Sequence, residues 1–278
     1  MKRKRPLTFI VAIIAITVLF VGISGYVWKE GHRPKVLEIY IFALKNGRSM
    51  FVRTPDDVRI LIDGGGNSDI VREITKILPF YSRRIDTIFA TNTDGKNVAG
   101  IIDVVSRYKV VNAYMPAIST QSLGLASSTD DIYETLIEKL HISNVPVYRL
   151  SANDSVDLGL GVRMNILFPI SVEQASSTKF KYSKASAPEL LFNIEYGRTF
   201  VSFLGNASVK IQKYISAYLA TSTDQQGNVL IVSHGAEPTK MSPALLQKLK
   251  PADSIYKEKK TIHLVSDGVS VTLTGEVD

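Results

Sequence analysis

IFATNTDGKNVAGII, residues 88–102, joins an apolar strand, a polar turn and the start of an apolar helix. Ile88, Phe89 and Ala90 form the strand end, and helical apolar spacing resumes at Val98. A buried strand that hands over to a helix across an exposed turn is the repeating unit of α/β domains, and such turns often carry the chemistry. Here the turn offers Asn92, Asp94, Lys96 and Asn97, with neither His nor Cys.

Upstream of this unit, VLEIYIF (36–42), SMFVR (49–53) and VRILIDGGG (58–66) read as strands, the last two joined by a hairpin turn at TPDD. Asp63 and three glycines end the third strand, where a sharp exit needs residues without Cβ atoms. DIVREITKIL (69–78) sets Ile70, Ile74 and Leu78 on one helical face. Downstream, the spacing predicts a helix from Val98 to Tyr108, a strand at VVNAYMP and a helix over 128–140. Residues 145–204 are mostly β, and a helix follows over 208–219. The strand NVLIVSHG, a helix over 242–250 and two closing strands near 261–265 and 269–274 complete the chain. No linker composition divides residues 36–278, so they read as one domain with two sheets face to face and helices outside.

Ahead of that domain, Lys2, Arg3, Lys4 and Arg5 in a basic flank (1–6) precede an uncharged apolar stretch at 7–27. Its length suits one membrane crossing, and the basic flank predicts a cytoplasmic N-terminus with the rest extracytoplasmic. The alternative is a cleaved signal peptide, with Gly22, Ser24 and Gly25 as the small residues near its end. Residues 28–35 read as a polar linker. The net charge of +7 is mostly confined to this region, because residues 36–278 hold 26 basic against 25 acidic side chains. The domain therefore gives no global polyanion signal. Cysteine is absent, which excludes disulfides, thiolate catalysis and Cys-ligated zinc.

In order and content these segments resemble the metallo-β-lactamase-fold soluble domain of the ComEC-type competence (DNA-uptake) proteins. The resemblance is carried by FVRTPDDVRILIDGGGNSDIVREI (51–74), LPFYSRRIDTIFATNTDGKNVAGIIDVVSRYKV (78–110), IEYGRTFVSFLGN (194–206), NVLIVSHGA (228–236), SPALLQKLKPADSIY (242–256) and SDGVSVTLTGE (266–276). It implies an α/β fold, a four-layer αββα sandwich, here preceded by one N-terminal transmembrane helix. In active family members the turn reads Thr-His-x-His-x-Asp-His and binds two metal ions. This chain keeps Thr91 but has Asn92 and Asp94 at the first two His positions, Lys96 at the Asp position and Asn97 at the last His. Asn206 stands at the bridging Asp, only His234 remains of a His-His pair, and Ala43 and Arg48 stand where the family has acids.

Carboxamides are weak, uncharged zinc ligands, and an ammonium at Lys96 opposes a dication. The turn is thus expected to be the remnant of a metal site, with no metal cofactor. The alternative is one Zn or Mn ion held by Asp63, Asp94 and His234, in a metal-dependent phosphodiesterase or other hydrolase. Asp63 is otherwise expected to accept hydrogen bonds from the backbone of its own glycine turn. KFKYSK (179–184) interleaves Lys179, Lys181 and Lys184 with aromatics, a pattern that suits anion or single-strand contact and is also common in solvated loops. The expected partners are the membrane and an envelope or DNA-uptake protein, with nucleic acid the weaker candidate. A purely structural domain packed on another membrane protein is the third reading.

Overall fold

The computed structural model describes residues 7–31, 33–119, 121–124, 130–183, 187–205, 207–219, 228–231, 253–255 and 261–277. The chain divides into two compact units, Met1–Lys35 and Val36–Asp278.

The first unit contains helix α1 (Leu7–Gly31). Its stretch Phe9–Trp28 is long and apolar enough to cross a bilayer, and none of it is buried against protein. Apolar side chains point outward all round the helix, from Ile16 and Val18 to Phe20 and Trp28. Such a surface is stable where the surroundings are themselves apolar. At about 1.5 Å per residue, 20 residues reach the roughly 30 Å of a hydrocarbon core. Thr17 Oγ1 donates back to Ile13 O at 2.9 Å, so this hydroxyl needs no external partner.

The second unit opens with β1 (Leu37–Ile41), β2 (Met50–Arg53) and β3 (Arg59–Ile62), paired antiparallel in that order. Then come α2 (Asp69–Ile77), β4 (Arg84–Phe89), α3 (Gly95–Arg107), β5 (Lys109–Pro116), α4 (Asp130–Ile142) and β6 (Val147–Leu150). Strands β3 to β6 are parallel, and each parallel step uses one of these helices as its crossover. The second half contributes β7 (Ser155–Gly159), β8 (Val162–Phe168), α5 (Val172–Ser177), β9 (Leu191–Tyr196), β10 (Thr199–Phe203) and α6 (Val209–Leu219). Strands β11 (Asn228–Ile231), β12 (Asp253–Ile255), β13 (Thr261–Ser266) and β14 (Val271–Val277) follow.

Among the described residues these strands form an eight-stranded sheet, β14-β13-β1-β2-β3-β4-β5-β6, and a six-stranded sheet, β12-β11-β10-β9-β8-β7. The last hairpin, β13–β14, thus returns to pair beside β1. Period-two alternation assigns each strand residue to one of two interfaces. Ile39, Ile60 and Ile62 of the first sheet meet Met164, Phe192 and Ile194 of the second in the central core. Leu61 and Ile88, on the opposite face, pack on Ile74 of α2, Ile101 of α3 and Leu136 of α4. Leu191 packs likewise with Ala175 of α5 and Ile211 of α6. Each such side chain contributes about 1.5–3 kcal/mol on full burial. The layers are therefore helix, sheet, sheet, helix, as expected.

Three local differences are found, and helix caps account for the first two. α3 starts at Gly95, three residues ahead of its first apolar position, because the Asp94 side chain accepts from Lys96 N and starts the helix there. α5 lies inside the region read as mostly β, and Ser171 with Gln174 form a full capping box at its start. β12 occupies a segment for which no strand was expected. The expected helix over 242–250 lies outside the described residues, as do residues 232–235 of the strand NVLIVSHG.

Backbones pack tightly where α3 crosses the glycine turn after β3. A Cβ on Gly100 would lie 2.0 Å from Gly64 O and 2.5 Å from Asn67 O, both backbone atoms that cannot rotate away. Gly100→Ala is therefore expected to destabilise the chain by about 3 kcal/mol, the upper part of the overpacking range. Urea denaturation of the detergent-solubilised protein checks this.

Candidate functional site

The site is assembled at the C-terminal ends of β3 and β4, where open α/β sheets place their ligand crevices. Three backbone segments meet there. The loop 43–49 between β1 and β2 lies across the glycine turn, with Gly65 N donating to Arg48 O at 2.9 Å and Gly66 N to Asn46 O at 3.0 Å. The same turn is tied to α3 by Gly64 N to Asn97 O at 2.6 Å and Gly100 N to Gly65 O at 3.0 Å. Gly47 (φ +75°) sits so close to α3 that a Cβ would come within 1.6 Å of Lys96 O. These contacts explain why the sequence needs glycine on both sides of the crossing.

Asp63 lies at the centre of this arrangement, fully buried and at a φ of 58° that is uncommon outside glycine. Its Oδ1 accepts from Thr91 N at 2.8 Å, and its Oδ2 accepts from Thr91 Oγ1 at 2.7 Å and Arg48 Nε at 2.9 Å. The expectation that Asp63 serves its own glycine turn is corrected here. The turn's N–H groups bond to Asn97, Arg48 and Asn46 backbone oxygens, which leaves the carboxylate for Thr91 and Arg48. Arg48 Nη2 donates to Thr91 Oγ1 at 2.7 Å and also to Glu189 Oε1. Glu189 lies just ahead of β9 and is held there by Leu190 N donating to Thr91 O at 2.7 Å. The hydrogen bonds run in one consistent direction: Arg48 donates to the Thr91 hydroxyl, which donates to Asp63.

Burial pulls the Arg48 guanidinium down, but the charges of Glu189 and Asp63 outweigh it and hold the group above its ordinary range. Burial pushes the Asp63 carboxyl up, against the Arg48 charge and the Thr91 donors. Its two oxygens meet three donors and no acceptor, so the ionised form fits the geometry beside a permanent cation.

The other turn residues are used locally. Asn92 Oδ1 accepts from Asp94 N at 3.0 Å and Asn97 Nδ2 at 3.2 Å. Asp94 is exposed and accepts from Lys96 N at 3.0 Å as the helix cap. Lys96 is exposed too, so the positive charge in the cluster is that of Arg48 rather than Lys96. Asn206 and His234 lie outside the described residues. Among the described residues, no group of three or more His, Asp or Glu side chains is placed to hold a metal ion. The residues at the described ligand positions do not fit a two-metal centre. Asp63 is enclosed by donors, Asp94 caps a helix, and Asn92 and Asn97 bond to each other.

The basic-aromatic segment is organised differently from a stacking platform. Phe180 is buried against Phe168, with ring centroids 5.7 Å apart, and Tyr182 Oη donates to Ile170 O at 2.5 Å. Lys210 Nζ donates to Lys181 O at 2.6 Å and sits 4.3 Å from the Phe180 ring centroid. The aromatics thus serve the core. Lys179 and Lys181 remain at the surface beside a cavity of about 690 Å³, and Lys184 lies outside the described residues.

Sequence reasoning missed Glu189 and the role of Arg48. A buried acid demands a compensating charge, and the neighbouring loop carries two bases, Lys45 and Arg48, which was a usable signal. Glu189 is separated from Arg48 by 141 positions, and no local pattern marks it.

No protein-family model matches this chain, and no curated protein matches it significantly in sequence. Solved structures match in fold. A long form RNase Z from yeast aligns with a TM-score of 0.50 and 8% identity over 81% of this chain and 37% of its own. Zn(2+)-bound PqqB from Methylobacterium extorquens gives 0.47 and 14% over 73% of this chain and 79% of its own. Rm3 metallo-beta-lactamase gives 0.45 and 13% over 78% and 81%. The described residues of the second unit therefore adopt the metallo-β-lactamase fold, and identities this low speak to fold alone.

Removing one partner from a buried ion pair strands the other charge. Asp63→Asn is thus expected to cost about 3 kcal/mol, whereas Glu189→Gln, at the more exposed end, costs about 1 kcal/mol. Asp94→Ala removes only a helix cap and is expected to cost about 1 kcal/mol. Chemical denaturation of the three variants checks the order.

Proposed function

We propose that this chain is a membrane-anchored, extracytoplasmic domain of metallo-β-lactamase fold that acts as a binding or assembly module rather than a metal-dependent hydrolase. The single observation that carries this reading is the engagement of Asp63 by Arg48 and Thr91. A hydrolytic metal needs carboxylate or imidazole lone pairs that point at it, and a water made acidic by its charge. Asp63 offers its lone pairs to internal donors, and a guanidinium stands beside it. Work at the envelope, beside DNA-uptake machinery, is supported by the ComEC-type resemblance of the quoted segments. The anchor is supported by α1, whose apolar stretch is of spanning length. The basic residues at positions 2–5 favour the cytoplasmic side for the N-terminus.

Two measurements test this. Full-length protein purified without chelators should carry far less than one ion per chain, and added zinc or manganese should leave its melting temperature unchanged. It should also leave bis(p-nitrophenyl) phosphate uncleaved. One ion per chain, lost on Asp94→Ala or His234→Ala, would replace this reading with the metal-dependent hydrolase. For topology, the absence of cysteine makes a single introduced thiol unambiguous. Ser106 is exposed on α3, so Ser106→Cys should react with a membrane-impermeant maleimide on intact cells. Labelling only after lysis would place the domain in the cytoplasm.

A further inference from the structure

Oxygen atoms of Asp63, Thr91 and Glu189 converge from three separate chain segments: the end of β3, the turn after β4 and the approach to β9. Two carboxylates brought this close repel each other unless a cation lies between them. Arg48 supplies that cation from a fourth segment, with Nε on Asp63 and Nη2 on Thr91 and Glu189. The segments that carry the acceptors are held by contacts other than those of the guanidinium. Asp63 is fixed by its own N–H to Phe89 O at 2.8 Å and by Thr91, and Glu189 by the Leu190 to Thr91 bond. Gly205 (φ +46°) vacates the space that the Glu189 carboxylate occupies, since a Cβ there would lie 2.6 Å from Glu189 Oε1.

We propose that the Asp63, Thr91 and Glu189 oxygens form a cation cradle whose filling stabilises this junction of the two sheets, and that the Arg48 guanidinium is its built-in ligand. The inference rests on the non-catalytic reading of this site, in which its polar atoms are taken up by internal contacts, and adds what those contacts do. A planar cation with N–H donors along two edges matches acceptors on two sides, which a spherical monovalent ion does not. Removing the side chain should therefore leave a hole that recognises free guanidinium or a short alkylguanidinium by shape and charge. A ligand that binds only the folded state raises its stability in a saturable way.

The test uses the full chain in detergent, melted as Arg48→Ala and unaltered. Millimolar guanidinium chloride should recover at least half of the melting temperature lost in Arg48→Ala, with saturation. Equal concentrations of sodium chloride and urea should not, and the unaltered chain should not respond. Guanidinium that does no better than sodium chloride overturns the proposal. If Arg48→Ala does not fold, Arg48→Lys and Arg48→Met decide it. Lys keeps the charge and should melt well above Met, and equal melting overturns the cradle. Failure of rescue leaves the non-catalytic reading standing, while zinc or manganese binding by the unaltered chain removes that reading without bearing on rescue.

Discussion

A guanidinium enclosed between two carboxylates organises this domain. Asp63 is fully buried, and a buried carboxylate without compensation is too costly to keep ionised. Arg48 meets that requirement, and in reaching Glu189 it also links the first sheet to the approach of the second. The loop that carries Arg48 must then lie flat over the glycine turn, which is why Gly47, Gly64, Gly65 and Gly100 are packed backbone to backbone. This geometry also holds Asp63 in a left-handed backbone conformation, a strain that the surrounding contacts offset.

The opposite end of the sandwich is closed by different means. The β9–β10 turn rests on the β13–β14 turn, with Arg198 N donating to Gly268 O at 2.6 Å. Thr199 and Ser266 share a buried hydroxyl contact of 2.7 Å beside it. A Cβ on Gly197 would lie 2.3 Å from Gly268 O, so this junction also depends on the absence of a side chain. Between the two ends the sheets are held by non-directional apolar packing, which fixes separation better than alignment. The polar contacts at the ends supply the direction that the core lacks.

The turn at the site is held by internal contacts. The strand-to-helix turn at 91–97 keeps its shape because the shape is held by the Asp94 cap, the Asn92–Asn97 pair and the glycine crossing. None of these contacts needs an ion. The same constraints that make such a turn a good metal platform also make it a rigid surface. The basic-aromatic segment at 179–182 has gone the other way, folding its rings inward and leaving only lysine charge outside.

Much of this was legible in the sequence. Strand alternation, the Asp-Gly-Gly-Gly exit, the amphipathic helices and the 21 uncharged residues at 7–27 are local signals, because they arise from the periodicity of one element at a time. That the turn carries Asn92, Lys96 and Asn97 and no histidine was equally readable, since ligand chemistry belongs to residue type. The full cluster around Asp63 was not. Arg48 lies in a neighbouring loop, but Glu189 enters from 141 positions away and no local pattern marks it. By itself the sequence determined most of the elements and the layers. Only the tertiary structure decided that Arg48, not Lys96, supplies the charge inside the cluster, because burial and long-range convergence are properties of the assembled sheets.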